Sequence, residues 1–458
     1  MASSTPSSQR VSTKRGRQPR LEVVHRNAAG IDIGSTFHVV AVPADRSSEP
    51  VRTFRSFTDD LQHLADWLQQ VGITTVAMES TGVYWIPVFE ILEARGLEVL
   101  LVNARQAKNV PGRKTDVNDA QWLQQLHSYG LLQASFRPRD EVVALRAYTR
   151  HRERLTQYAA AHIQHMQKAL QQMNVQLHHV LSDITGQTGM AIIRATVAGE
   201  RDPAVLARLR DSRCKASLET IRAALTGNYR PEHVFALQQA LELYDVYQTK
   251  LAACDVQIQN VLSQLASACS EPDEPLPLAK GKGGPRVGLE VRKALYTLVG
   301  VDLTQIAGLG TESVLQLIAE CGHDMSRWPT AKHFTSWLTL APGSKISGGK
   351  VLSSRTRRST NRAATLFRLA AMSVGRTATA LGAFYRRLAA RTGKAKAITA
   401  TARKIATLFY NLLRYGAAYN DPGQDFYEER YRQKVLRNLE RKARDLGYDL
   451  VQSPAPGG

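Results

Sequence analysis

Apolar residues follow two periodicities along the chain, and the change from one to the other divides it. Between residues 28 and 135, short apolar runs alternate with amphipathic stretches. Ala28 to Gly34 (A-A-G-I-D-I-G) has the length of a strand entering a Gly-Ser-Thr turn, and Phe37 to Val42 is its expected hairpin partner. Val51 to Phe57 reads as a third strand, and Asp59 to Val71 as a helix through Leu61, Leu64 and Leu68. Ile73 to Met78 reads as a buried strand, Tyr84 to Arg95 as a helix and Leu97 to Val102 as a further strand. A last helix starts near Thr115, capped by that threonine and with Asp residues favouring its N-terminal dipole. Three strands followed by alternating helix and strand predict a mixed α/β sheet over residues 28–139.

Beyond residue 140 the period lengthens. No Gly or Pro interrupts Asp140 to Ile184, where Leu155, Met166, Leu170, Met173, Leu177 and Leu181 form one stripe. A second run from Pro231 to Cys269 carries Leu237, Leu241, Tyr244, Leu251, Ile258, Leu262 and Leu265. Two long helices with one stripe each predict an antiparallel coiled coil over 140–269, with a helical insertion at 186–230. A Pro/Gly/Lys linker follows at 270–290, then a mainly helical basic domain at 291–420 and a C-terminal helix and tail at 421–458. The fold class is therefore multidomain, α/β plus all-α.

Charge narrows the partners. The 458 residues hold 60 Lys+Arg against 40 Asp+Glu, a formal net charge of +20. Such a surplus points to a polyanion, and a membrane-spanning role is excluded because no stretch approaches 18 consecutive apolar residues. Residues 1–27 are rich in Ser, Lys and Arg without an apolar h-region, so they read as a disordered basic arm rather than a signal peptide. The four cysteines stand far apart with no C-x-x-C pair, which excludes a disulfide framework. The pairs His162/His165 and His178/His179 lack a Glu or Cys to complete a metal set.

Two groups of residues carry candidate chemistry. Asp32 sits inside an apolar strand, Glu79 ends another, and Asp116 and Asp119 follow three apart on a predicted helix, projecting from one face. Four such carboxylates repel unless a divalent ion neutralises them, and hard oxygen ligands suit Mg²⁺ or Mn²⁺. The alternative is a phosphate turn of the actin-like or sugar-kinase type, but the second D-x-G-G turn that those folds need is missing. In the basic domain, Ile306-Ala307-Gly308-Leu309-Gly310 has the form of a helix–hairpin–helix turn, or of a plain connection between helices. Beyond it comes L-A-P-G-S-K-I-S-G-G-K, residues 340–350, followed by Arg355, Arg357, Arg358, Asn361 and Arg362. A serine beside Gly-Gly among cations is open to a phosphodiester, with the cations stabilising a pentacovalent transition state. A flexible phosphate-contact loop is the simpler reading of the same residues.

In combination, G-I-D-I-G-S-T, M-E-S-T-G-V-Y-W, L-V-N-A-R-Q-A-K-N-V-P-G-R-K-T-D-V-N-D-A, the Gly-Leu-Gly turn and L-A-P-G-S-K-I-S-G-G-K occur in the order seen in insertion-sequence transposases of the IS-one-ten family. The chain resembles these DEDD-type recombinases, relatives of the Piv-like invertases, from residue 28 to about 420. The resemblance implies a RuvC-like domain of RNase H fold, a coiled coil and a transposase domain with a nucleophilic serine. It assigns Asp32, Glu79, Asp116 and Asp119 to the metal, and Ser347 to the nucleophile. Ser344, Ser353 and Ser354 stand nearby, so register selects Ser347. It further implies nucleic-acid contacts by Arg113, Lys114, Gly308, Gly310, Lys345, Lys350, Arg355, Arg357, Arg358 and Arg362. Donor and target DNA, a structured guide RNA, assembly as a dimer or tetramer, and a cytoplasmic, nucleoid-associated place in a prokaryotic cell complete what it implies. A RuvC-like Holliday-junction nuclease working without a serine adduct is the alternative function, and a binding protein that has lost catalysis is a third.

Overall fold

The computed structural model describes residues 22–80, 82–103, 116–138, 140–272, 274–278, 289–416 and 419–451. Most of the basic arm, Arg113, Lys114 and the core of the Pro/Gly/Lys linker lie outside the described residues, as does the side chain of Asp116. Internal contacts divide the chain into two units, residues 1–137 and 138–458.

The N-terminal unit runs β1 (Ala28–Ile33), β2 (Phe37–Ala41), β3 (Val51–Arg55), α1 (Thr58–Gln70), β4 (Thr75–Glu79), α2 (Trp85–Ala94), β5 (Glu98–Val102) and α3 (Asp116–Ser128). The five strands form one mixed sheet in the order β3-β2-β1-β4-β5, with β1 antiparallel to β2 and parallel to β4. Strand alternation gives the sheet two unlike faces. One carries Ile31, Ile33, Val40, Met78 and Leu101, which bury against Leu64 and Leu68 of α1 and Leu92 of α2. The other carries Ala28, Gly30, Val39 and Ala41, small enough for α3 to lie on it through Ala120.

That second contact is unusually close. A methyl group at Gly30 would overlap the backbone nitrogen of Gln124 and the backbone oxygen of Ala120. Helix backbone therefore rests on strand backbone, and only glycine fits. The Gln124 amide donates to the Ala28 carbonyl at 3.3 Å and fixes the level of the helix along the strand.

The C-terminal unit opens with two long helices, α4 (Asp140–Gln172) and α9 (Pro231–Ser267), which enclose the short helices α5 (Leu177–Val180), α6 (Gln187–Val197), α7 (Pro203–Ala207) and α8 (Leu218–Ala224). The long pair is antiparallel: Arg152 pairs with Asp255, His162 stacks on Tyr247, and Leu170 and Leu237 share one core. The predicted uninterrupted helix to Ile184 ends early, at Gln172. Asn174 takes a left-handed conformation (φ 55°), which asparagine tolerates, and the chain turns so that Val175, Leu177 and Ile184 bury in the core of a cap built from the short helices α5 to α8 instead of continuing the stripe.

The remaining elements are α10 (Leu289–Val299), a 3-10 turn (Leu303–Gln305), α11 (Thr311–Cys321), α12 (Ala331–Trp337), β6 (Lys345–Ser347), β7 (Lys350–Ser353), α13 (Arg362–Val374), α14 (Ala380–Thr392), α15 (Lys394–Tyr415) and α16 (Gly423–Asp445). Their core is aromatic. Phe334 meets Phe367 and Phe409 at ring-centroid distances of 6.4 and 6.2 Å, and the Tyr410 hydroxyl donates to the Trp328 carbonyl at 2.7 Å.

Gly30→Ala is expected to destabilise the N-terminal unit by about 2–3 kcal/mol, because backbone on both sides leaves the methyl nowhere to go. Urea unfolding followed by tryptophan fluorescence measures it.

Candidate functional site

Two sites emerge, one in each unit. In the N-terminal unit the register Ala28↔Thr75 to Ile31↔Met78 between β1 and β4, extended by one residue, sets Asp32 beside Glu79. Residues matched in a parallel pair share a face, and by alternation this is the face that α3 covers. Two strand residues advance about 6.6 Å and one helical turn about 5.4 Å. With Gln124 level with Ala28 and Ala120 against Gly30, the first turn of α3 comes level with Asp32. The carboxyl ends of β1 and β4 and the start of α3 thus converge. Glu79 is buried, 7% exposed, and Asp32 and Asp119 are half-buried.

Among the described residues no three carboxylate, imidazole or thiol groups meet at a point that would hold a metal ion. The structure brings Asp32 and Glu79 together, and α3 carries Asp119 toward the same end. Asp116, the fourth predicted ligand, is placed by its backbone alone. The two neighbouring carboxylates, one of them buried, are of the donor type that a hard divalent cation takes.

A polar clasp holds α3 at its other end. His127 is 3% exposed and shares a 2.8 Å hydrogen bond with Thr75 of β4, which is also buried. Burial, and then the His25 ring stacked 5.0 Å away, lower the His127 pKa to about 4. The clasp therefore works with a neutral imidazole.

The second site is the loop bearing Ser347. Strands β6 and β7 pair antiparallel with Ser347 opposite Lys350, and the two residues between them, Gly348 and Gly349, both have positive φ (54° and 76°). These are the requirements of a type I′ hairpin turn, which explains the Gly-Gly step. Ser347 is the last strand residue before the turn, and cross-strand pairing puts Lys350 on its face. The opposite face shows Ile346 and Val351, 64% and 62% exposed. The register shifts between Lys345 and Ile346, leaving Leu352 as an extra residue in β7.

The other predicted contacts divide. Gly308 is packed: a methyl there would lie 2.7 Å from both the Ala370 carbonyl oxygen and the Val374 side chain. Its role is close helix approach. Gly310 begins α11 with open space around it. The turn before them is anchored by the buried pair Arg292 and Asp302. Burial would raise the Asp302 pKa, but hydrogen bonds from Arg292, Thr304 and Gln305 outweigh it and hold the carboxyl below its usual range. Arg362 is engaged with Glu153 and, at 3.2 Å, with Glu320, which also receives Arg150 at 2.7 Å. Arg357 donates to the Ser336 carbonyl at 3.3 Å. Lys345, Lys350, Arg355 and Arg358 are exposed.

Residues missed by motif reading lie on α15. Lys396 and Arg403 face the base of the hairpin across a groove that Arg355 and Leu352 also line. A compositional signal marks them: from Met325 to Asn420 the chain has no Asp or Glu and 18 Lys or Arg. Nearly all of the net charge falls in this one segment, which contains the hairpin.

Residues 29–175 match a DEDD transposase family of the IS110 type, and residues 302–386 match the transposase IS116/IS110/IS902 family. No curated protein matches the chain.

Two outcomes are expected. The unfolded state protonates His127 near pH 6.5 and the native state only near 4, so the clasp's stabilisation is complete above about pH 6.5 and is lost as pH falls towards 4. The loss amounts to about 3 kcal/mol, and His127→Gln should flatten this part of the stability profile in urea titrations. Arg362→Ala should lower thermal stability, because it strips a partner from Glu153 and Glu320, and should leave the salt dependence of DNA binding almost unchanged.

Proposed function

The chain belongs to the IS116/IS110/IS902 family of transposases, and on that premise we propose that it cuts and rejoins DNA with Ser347 as nucleophile and an Mg²⁺ or Mn²⁺ ion at Asp32, Glu79, Asp116 and Asp119. The observation that carries the proposal is the position of Ser347, exposed at the mouth of a Gly-Gly hairpin turn inside an acid-free cationic segment. Residues 325–420, which carry this turn, contribute no carboxylate that would repel a phosphodiester.

The Ser347 Oγ attacks phosphorus. An Oγ–P bond forms as the P–O3′ bond breaks, the hydroxyl proton passes to a base, and the 3′ oxygen departs as a hydroxyl after taking up a proton. Lys350, on the same face of the hairpin, balances the charge that grows on the phosphoryl oxygens. Lys345 and Arg355 hold the flanking phosphates. When bound, the divalent ion supplies Lewis-acid stabilisation of the scissile phosphate and a lowered hydroxyl pKa. Because the phosphoserine link conserves the phosphodiester, a second 3′ hydroxyl reverses the step and joins new strands without ATP. A structured RNA guide and assembly of dimers into a tetramer belong to the same proposal.

Ser347→Ala should reduce the covalent protein–DNA adduct, trapped on denaturing gels with Mg²⁺ and the guide RNA, by about a thousandfold or more. Ser344→Ala, Ser353→Ala and Ser354→Ala should retain it. Asp32→Asn or Glu79→Gln should abolish the adduct while DNA binding persists. Cleavage that continues in Ser347→Ala with no adduct in the parent protein would favour the water-dependent RuvC-like nuclease instead.

A further inference from the structure

The groove between the hairpin and α15 has a composition suited to one class of ligand. Leu340, Pro342, Leu352 and Phe384 make its surface apolar, and Arg355, Lys396 and Arg403 give it charge. Among the described residues no carboxylate lines it. Two other clefts in the same unit differ on this point, one holding Glu153 and Glu320 and the other Asp183 and Asp211. Arg355, Lys396 and Arg403 make no ion pair among the described residues, whereas Arg362 and Arg387 are engaged by carboxylates or tyrosine rings. The cations of the groove are therefore available to an incoming anion.

Size and position restrict that anion. The groove encloses about 980 Å³, the upper end of pockets that take small molecules, which suits a few nucleotides of one strand and not a duplex. Lys396 and Arg403 are seven residues apart on α15, two turns or about 10 Å, so they share a face and meet separate phosphates. Ser353 lines the groove and pairs with Lys345, which stands two strand residues, about 7 Å, from Ser347. A strand attacked at Ser347 reaches the groove within about one residue of the scissile phosphate.

We propose that this groove binds the unpaired DNA flank of the scissile phosphate, its phosphates on Lys396 and Arg403 and its bases against Leu352 and Phe384. The identity of the strand rests on Ser347 as the nucleophile; the binding itself does not. Holding the flank single-stranded fixes the reacting phosphate at the hairpin and leaves the released end free to exchange. Apolar and aromatic surface beside cations is the general recipe for single-strand binding.

The test uses the full-length Ser347→Ala protein without divalent ions, so that binding is read apart from cleavage. Fluorescence anisotropy with a labelled 12-nucleotide DNA strand is compared with a duplex and with an RNA strand of the same sequence. Adding Lys396→Ala and Arg403→Ala should weaken single-stranded DNA binding about tenfold at ~0.1 M salt. It should also reduce the slope of log affinity against log salt by about 1.4, two phosphates at ~0.7 each. Duplex and RNA should lose markedly less. Leu352→Ser, at a residue already 69% exposed and so without cost to folding, should weaken the strand with its salt slope intact. Equal losses for strand and duplex, or an unchanged slope, would overturn the groove, and an RNA loss as large as the DNA loss would overturn its assignment to DNA. A serine adduct that vanishes in Ser347→Ala while the double variant binds normally would sink the groove and leave the nucleophile standing.

Discussion

The acidic end of the N-terminal unit depends on the backbone of α3 lying directly on the backbone of β1 at Gly30. Helices usually stand off a sheet by the length of two layers of side chains, and here one layer is missing. The absence fixes the helix along the strand as well as above it, since the Gln124 amide and the neutral His127 ring tie it to Ala28 and Thr75. Everything about the acidic residues follows from that level. If α3 slid by one turn, Asp116 and Asp119 would leave the ends of β1 and β4, and the carboxylates would be scattered over the surface. The ends of β1 and β4, with Asp32 and the buried Glu79, lie level with the start of α3 because a glycine two residues upstream of Asp32 lets the helix approach.

The charge distribution complements this. A net charge of +20 spread evenly would act as a weak, nonspecific attraction. In this chain 18 basic residues and no acids fall between Met325 and Asn420, so the attraction is directed to one segment and its hairpin. Such a segment must stay folded against its own repulsion. An aromatic core of Phe334, Phe367, Phe409 and Tyr410 supplies the cohesion, while Arg362 and Arg387 are neutralised by Glu153 and Glu320 outside the segment or laid on the rings of Tyr427 and Tyr431. Arg355, Lys396 and Arg403, at the hairpin and on α15, make no ion pair among the described residues.

The sheet was legible because its strands differ in period from its helices: the five strands and three helices among the described residues of the N-terminal unit begin within about two residues of where the pattern places them. Asp32 and Glu79 were legible as carboxylates out of place in apolar strands. The end of α4 was not. Nothing in the stripe through Leu170 and Leu177 distinguishes continued helix from a turn into a second core, and the decision lies with Asn174 and with partners in the cap. The packed role of Gly308 was hidden for a related reason, since its neighbours Ala370 and Val374 are more than sixty residues away. Lys396 and Arg403 belong to no motif, and only the absence of acids around them carried a signal.

The hairpin itself explains why a nucleophile would be carried on so small an element. A two-stranded ribbon with both faces in solvent is marginally stable alone, and β6–β7 exposes Ile346, Val351 and Leu352 besides. Its Gly-Gly turn fixes the register of Ser347 against Lys350 locally, so the pair needs no tertiary contact to be assembled. Elements of low local stability are the ones that reposition when a ligand arrives, and a strand lodged between Leu352 and α15 would pin the ribbon at its base. On the proposed function, Ser347 and Lys350 would then meet the scissile phosphate in one direction only when that strand fills the groove.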